Sequence, residues 1–160
     1  MLHCAIDPER VPHNAGCAQR DNESMDIVRQ VVVFDAVDVA AESTFWAEML
    51  GGRVLTDDYF HTVFDAEGNW RVGVQLAPRH TPPQWPDGNP QQVHLDLHVT
   101  NPDDAHAQAI SLGARVLKDG DSTASEGHRI YADPAGHPFC IGWGRPDNDT
   151  VRTFLRDHPA

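Results

Sequence analysis

Residues 50–55 read Leu50-Gly51-Gly52-Arg53-Val54-Leu55, and residues 112–117 read Leu112-Gly113-Ala114-Arg115-Val116-Leu117. Five of the six letters are identical. In both stretches a glycine follows a helical pattern and precedes a strand pattern, and glycine is the residue that most often ends a helix. Two glycine-capped helices can share letters by coincidence. A corner that recurs within the same order of elements instead indicates an internal repeat.

The elements around the two corners are predicted in the same order. In the first half, a β-branched strand at 31–36 leads through the N-cap Asp38 to a helix at 39–50, followed by short strands at 53–56, 59–65 and 70–77. In the second half, a strand at 94–99 leads through Asn101-Pro102 to a helix ending near Leu112, followed by strands at 115–117, 128–132 and 138–143. The sequence therefore predicts an α+β domain of two pseudo-symmetric βαβββ modules, about 27–77 and 93–143.

The segments outside the two modules have different compositions. Residues 78–92 are rich in proline and form the predicted joint between the modules. Residues 1–25 show no periodicity, so we expect a disordered N-terminal extension, with Met25 as a candidate for the natural start of translation. The domain then spans 26–145, and residues 146–160 are predicted to be a tail or a short helix.

Composition excludes several classes of protein. The formal charge of −12 and the absence of a basic cluster argue against a nucleic-acid partner. No apolar run approaches the roughly 20 residues that a membrane-spanning helix needs. The first residues lack the pattern of a secretory signal, and the three scattered cysteines do not indicate a disulfide framework. These features predict a cytoplasmic protein with reduced thiols.

Four short motifs carry a family resemblance. They are Phe45-Trp46 in the first helix, Leu50-Gly51-Gly52 after it, His94-Leu95-Asp96-Leu97, and Asp133-Pro134-Ala135-Gly136-His137-Pro138-Phe139. In this order and spacing, over about residues 27–143, the chain resembles the glyoxalase / bleomycin-resistance / extradiol-dioxygenase (vicinal oxygen chelate) superfamily, especially its small glyoxalase-like proteins. The resemblance implies a glyoxalase-like fold whose curved sheets form a cavity, a small-molecule ligand or substrate, and assembly as a homodimer.

The resemblance also implies where a metal would lie. Enzymes of the superfamily hold a divalent metal with a His in the first strand of each half and a Glu in the last strand of one or both. When Asp38 is aligned with Asn101, His94 matches Val31, which has no donor atom. The last-strand positions fall at Cys140 and Gln75. Because only His94 keeps its usual ligand type, we expect no cofactor, although zinc, nickel, manganese or iron bound by His94 and substitute ligands stays an alternative.

Strand alternation predicts which side chains line the cavity. Side chains two residues apart share a face, so Val31, Val33 and Asp35 point inward from the first strand. On the same argument His94, Asp96 and His98 point inward from the fifth, and Gln75 and Cys140 flank them. Trp85, set among prolines, is predicted either to close over the cavity or to anchor the joint.

The sharper hypothesis is a proton-transfer site without a metal. We expect a His as base and an Asp that orients it, drawn from His98, Asp96 and Asp35. The alternative for these residues is a solvated, salt-bridged rim of the sheet. Residues four apart on a strand lie about 13 Å from each other, so His94 and His98 are not expected to chelate one ion together.

Three functions follow from these observations. The first is a small-molecule-binding protein that sequesters its ligand, as resistance proteins do, or acts on it by metal-independent acid–base chemistry. The second is a lyase, isomerase or dioxygenase that depends on a divalent metal. The third is a dimerisation module without catalysis, which the polar residues predicted for the cavity disfavour.

Overall fold

The computed structural model of the chain describes residues 29–144 and 156–157. The chain divides into a unit of residues 1–30 and a unit of residues 31–160, and every element below belongs to the second. The predictions for 1–25 and, apart from Arg156 and Asp157, for 146–160 lie outside the described residues. Within the described ranges, no helix has the length and apolar character needed to cross a membrane.

The first module is a four-stranded sheet with one helix. Its elements are β1 (Val32–Ala36), α1 (Val39–Met49), β2 (Arg53–Leu55), β3 (Phe60–Phe64) and β4 (Trp70–Leu76). The strand order is β1-β4-β3-β2. The pair β1–β4 is parallel and the other pairs are antiparallel. The predicted βαβββ order is confirmed.

The second module repeats this topology. Its elements are β5 (Leu95–His98), α2 (Pro102–Ser111), β6 (Arg115–Lys118), β7 (Gly127–Ala132) and β8 (Pro138–Trp143). The strand order is β5-β8-β7-β6, again with a parallel first pair and antiparallel pairs beyond it. Residues 77–94 join the modules without a helix or strand, as the proline content predicts.

The same chemistry sets the ends of both helices. Asp38 Oδ1 accepts a hydrogen bond from the backbone N–H of Ala41 (2.9 Å), and Asn101 Oδ1 accepts from the N–H groups of Asp103 and Asp104 (both 3.2 Å). Both helices end before a glycine in the left-handed region, Gly51 (φ 63°) and Gly113 (φ 104°). The repeated glycine corner that predicted the fold is confirmed.

The two modules share one aromatic core. Phe34 of β1 stacks on Trp46 of α1 with ring centroids 5.2 Å apart, and Trp46 meets Phe139 of β8 edge to face at 5.4 Å. Leu95 and Leu97 of β5 pack against the same core from the second sheet. The predicted alternation therefore holds in β1 and β5, and the opposite faces of both strands are left for other contacts.

A buried carboxyl group ties the modules together. Glu42 of α1 has 0% of its surface exposed. Its Oε1 accepts from Trp46 Nε1 (2.8 Å) and its Oε2 from the backbone N–H of Ala135 (2.9 Å), in the turn before β8. Burial, and then the nearby carboxylate of Asp133, raise the pKa of Glu42 to about 8. Asp133 is buried too, and its Oδ2 has no hydrogen-bond partner among the described residues.

This pair predicts a pH-dependent stability. The pKa of Glu42 rises from an ordinary 4.5 to about 8 on folding, so the folded state holds an extra proton between these values. The contribution of Glu42 to the free energy of unfolding is therefore fully present below about pH 4.5 and is lost as the pH rises to about 8, by an amount on the order of a few kcal/mol. Glu42→Gln should flatten this slope when unfolding in urea is measured at several pH values. The variant should also lower the free energy of unfolding by about 1 kcal/mol, because an amide nitrogen cannot accept the second hydrogen bond.

Glu48→Gln, at an exposed position of the same helix, is the matched control and should keep the slope of the unaltered protein. Burial also raises the pKa of Asp133, so some slope should remain in Glu42→Gln. Equal slopes in the Glu42→Gln variant and the unaltered protein would contradict the assignment.

Candidate ligand pocket

A pocket of about 270 Å³ lies on the face of the second sheet opposite the core. Strands β5, β7 and β8 form its floor, and the proline-rich joint contributes residues from one side. Three imidazoles, a carboxylate and a thiol are among its groups. Its lining residues are Trp85, Gln91, His94, Asp96, His98, His128, Ile130, Pro138, Cys140 and Gly142.

Strand β5 and its register with β8 place the central polar groups. Asp96 and His98 alternate with Leu95 and Leu97, whose side chains pack on the core. His94 precedes the strand on the same face as Asp96. In the parallel β5–β8 pair, Cys140 lies directly across from Asp96. The fold thus brings His94, Asp96 and Cys140 together from two neighbouring strands.

His94 is held between a carboxylate and an amide. Its Nε2 lies 3.5 Å from Asp96 Oδ1, and Gln91 Nε2 donates to its Nδ1 at 3.2 Å. Gln91 comes from the joint, and its Oε1 is buried with no hydrogen-bond partner among the described residues. A buried carbonyl oxygen without a donor costs free energy, so a ligand that supplies a donor would be stabilised at this position.

Two further histidines lie on the adjoining part of the floor. A methyl group added at Gly142 would lie 3.3 Å from His98 Cε1, which shows that the His98 ring covers this glycine. His128 of β7 is paired with Gly142 in the strand register. Because Gly142 has no side chain, the His98 ring has room to lie over it.

His94, Asp96 and Cys140 also form a candidate metal site. One ligand atom from each lies within 4.8 Å of the others. Ligand atoms around a tetrahedral zinc are separated by about 3.5 Å, given metal–ligand distances of about 2.0–2.3 Å. The His94–Asp96 contact already has this separation, and small side-chain rotations would bring in the sulfur. The donor set present fits a divalent metal.

The first module offers no counterpart to this group. With Asp38 and Asn101 aligned as N-caps, Asp96 corresponds to Val33, which pairs with Gly73. The position equivalent to Cys140 is therefore Gly73, and the alignment of Cys140 with Gln75 was wrong by two residues. The Phe60 ring occupies the space over Gly73, where an added Cβ would lie 2.5 Å from Phe60 Cζ. The Phe60 ring therefore occupies the place in the first module that the Cys140 thiol occupies in the second.

The other residues predicted for the cavity are divided between two places. Trp85 lines the pocket. Val33 and Asp35 instead line a second depression of about 380 Å³, together with His80 and His137. Val31 and Gln75 line neither, and Gln75 pairs with Asp35 across β1 and β4. Within one chain, His98 and Asp96 share a pocket that Asp35 does not line.

Sequence reasoning left out two polar lining residues, Gln91 and His128. His61 in β3 and His128 in β7 lie in corresponding strands of the two sheets but face different surroundings. His61 Nδ1 lies 2.7 Å from Ser43 Oγ on α1, whereas His128 lines the pocket. The alternation of His128 with the buried Arg129 and Tyr131 is the signal that points to its facing. Nothing in the local sequence marks Gln91, because the joint has no periodicity.

Comparison with known proteins identifies relatives of this fold. A family model of the glyoxalase-like domain matches residues 31–142. A glyoxalase/bleomycin resistance protein/dioxygenase family enzyme from Burkholderia phytofirmans PsJN is 18% identical, with a TM-score of 0.55 over 72% of this chain and 97% of that chain. The glyoxalase/bleomycin resistance protein from Albidiferax ferrireducens T118 is 19% identical, with a TM-score of 0.54 over 74% and 98%.

A third similar structure is the fosfomycin resistance protein FosX from Mesorhizobium loti. It is 11% identical, with a TM-score of 0.56 over 81% of this chain and 99% of that chain. None of the curated proteins compared with the chain matches it. At these identities the structural likeness establishes the fold, and the predicted glyoxalase-like fold is confirmed.

Gly142→Ala tests how the pocket floor holds His98. The added methyl would meet the ring at 3.3–3.4 Å, and His98 is exposed enough to turn aside. We expect the free energy of unfolding to change by less than about 1 kcal/mol while the His98 imidazole resonances shift in heteronuclear NMR spectra. The His61 resonances are the internal control. Unmoved His98 resonances would show that the ring does not rest on Gly142.

Proposed function

The chain belongs to the glyoxalase-like domain family, and on that premise we propose that it binds a small organic molecule in the pocket on the second sheet. It either sequesters this ligand or acts on it by acid–base chemistry. The observation that carries the proposal is the buried Oε1 of Gln91, which lines the pocket and has no partner among the described residues. A polar atom of this kind is satisfied by a donor that comes from a ligand.

The size and polarity of the pocket narrow the ligand. A volume of about 270 Å³ is just below the range of roughly 300–1,000 Å³ that is usual for small-molecule sites, so the ligand is small. Apolar contacts come from Trp85, Ile130 and Pro138. His94, His98 and His128 supply groups that donate or accept hydrogen bonds. We therefore propose a compact ligand with an apolar part and at least one hydrogen-bond donor.

Acid–base chemistry has suitable groups in the same pocket. Asp96 lies 3.5 Å from His94 and can orient its ring, as the carboxylate of a His–carboxylate pair does. His98 and His128 lie on the adjoining floor and can exchange protons with a bound molecule. We retain His98 and Asp96 as proposed catalytic residues. The polar lining also disfavours a dimerisation module without a ligand.

A second candidate is a lyase, isomerase or dioxygenase that depends on a divalent metal. The specific observation in its favour is the group of His94, Asp96 and Cys140, with donor atoms within 4.8 Å of one another. A divalent cation held there would polarise an oxygen atom of the ligand. The residues of the chain would then bind the ligand on one side of the cation and exchange protons with it through His98 or His128.

Ligand binding is tested by a fragment screen on the full chain, followed in ¹H–¹⁵N correlation NMR spectra. Fragments that bind should shift the amide signals of β5, β7 and β8 together. For the best fragment, His128→Ala should weaken affinity about tenfold because a hydrogen bond and a contact are lost. Gln75→Ala, an exposed position on the first sheet, should leave affinity unchanged. A hit whose affinity falls equally in both variants, or no hit among several hundred fragments, would contradict the proposal.

We also propose that the chain forms a homodimer through the second depression. Val33 (45% exposed) and Val93 (60% exposed) line it beside Asp35, His80 and His137, and exposed apolar side chains that share one depression are candidates for burial in an assembly. Light scattering after size exclusion should give twice the mass of the 160-residue chain.

Val93→Glu should shift the mass toward the monomer because a charge would be buried. Val116→Glu, an exposed valine of β6 outside the depression, should leave it unchanged. A monomer in the unaltered protein at tens of micromolar would exclude this dimer.

A further inference from the structure

We infer that the pocket selects ligands that carry a cationic amine, and that Asp96 is the residue that makes this selection. Because a small molecule is proposed to bind there, this inference rests on the proposed function and adds the charge of the ligand. Three features of the lining support it: a carboxylate without an opposite charge, an uncharged imidazole beside it, and a buried acceptor without a donor.

The pocket has one carboxylate and no cationic side chain to balance it. Among the described residues that line it, Asp96 is the one acid, and none is a lysine or an arginine. Arg129 follows His128 in β7 but points to the opposite face, where its Nε donates to Asp119 Oδ1 at 2.8 Å. A carboxylate that has no opposite charge beside it attracts a cation.

The imidazole beside Asp96 does not supply the missing charge. Gln91 Nε2 donates a hydrogen bond to His94 Nδ1 (3.2 Å), so this ring nitrogen holds a lone pair. A protonated imidazole carries an N–H on both nitrogens and cannot accept such a bond. His94 is therefore neutral, with its proton on Nε2, which lies 3.5 Å from Asp96 Oδ1. The ring can donate to the carboxylate, but the negative charge remains.

Hydrogen-bond acceptors lie on both sides of the His94 ring. Asp96 adjoins its Nε2 edge. Gln91 adjoins its Nδ1 edge and has an Oε1 atom that is buried without a donor among the described residues. An ammonium group has three N–H donors and no acceptor, so it suits a surface of this kind. An anionic ligand brings acceptors, which would leave Oε1 unsatisfied and would meet Asp96 as a like charge.

The rest of the lining suits a cation that is attached to an apolar group. Trp85 lies on the side contributed by the joint, and indole rings attract cations to their faces. Ile130 and Pro138 supply aliphatic contacts. The side chain of Asp96 is 49% exposed, so a cation can reach it from solvent. We therefore expect a small primary or secondary amine with an aromatic or aliphatic substituent.

The experiment is a titration of the full chain with three fragments of similar shape, followed in ¹H–¹⁵N correlation NMR spectra. Benzylamine carries the cation, benzyl alcohol is neutral and benzoate is the anion. At about pH 7.5 we expect benzylamine to shift the amide signals of β5, β7 and β8 and to bind at least about tenfold more tightly than the other two. A chelator is present throughout, because a divalent metal on Asp96 would reverse the charge of the pocket.

Asp96→Asn keeps the size of the side chain and removes its charge, so it should weaken benzylamine binding about tenfold and leave benzyl alcohol binding unchanged. Asp58→Asn, at an exposed position between β2 and β3, removes the same charge outside the pocket and should leave benzylamine binding unchanged. This control separates the effect of Asp96 from that of the formal charge of −12. Ring ¹⁵N spectra should show His94 with a proton on Nε2 alone.

No binding of benzylamine, equal affinity for the three fragments, or a preference for benzoate would overturn the inference. Equal benzylamine binding in Asp96→Asn and the unaltered protein would overturn it as well, and so would a His94 ring with protons on both nitrogens. Each of these results leaves the proposed function standing if the fragment screen yields neutral or anionic ligands of the pocket. A screen without any hit would overturn the proposed function together with this inference.

Discussion

The fold depends on one buried carboxyl group that serves both modules. Glu42 accepts hydrogen bonds from Trp46 of its own helix and from the backbone of Ala135 in the turn that leads into β8. The first bond keeps the indole in the aromatic core, and the second fixes the start of the strand that carries Cys140. A core of apolar side chains would bury area without choosing this relative placement, whereas two directional bonds to one side chain do choose it. The cost is a buried acid that the folded protein keeps protonated to about pH 8.

The two modules share a topology and differ on the faces that point away from the core. On the second sheet, His94, Asp96 and Cys140 converge, whereas the matching part of the first sheet has Val33, Gly73 and the Phe60 ring. An internal repeat ordinarily suggests that both halves contribute equally to a site between them. In this chain the polar chemistry of the pocket belongs to the second sheet and the joint, and beside Gly73 the first sheet carries Val33 and the Phe60 ring.

The sequence predicted the elements well because their signals are local. The N-caps Asp38 and Asn101 and the recurring glycine corner mark the helix ends, and strand alternation separates core-facing from outward-facing residues in β1 and β5. The register of the last strands is not local, since it follows from pairing across the sheet. That is why Gln75, rather than Gly73, was aligned with Cys140. Glu42 was missed for a related reason: glutamate on a helix is ordinarily exposed, and only the fold brings Ala135 to it.

The charges of the three donors bear on how the pocket acts. An aspartate and a thiolate together carry two negative charges, so they would cancel the charge of a divalent cation, and a neutral imidazole adds none. A cation neutralised in this way polarises a bound oxygen less strongly than one held by histidines alone, because the anionic donors already supply electron density. A divalent cation on this donor set would therefore suit the proposed binding of a ligand better than the activation of water for hydrolysis. On this argument a divalent cation bound by these residues would be compatible with the proposed sequestration of a small molecule.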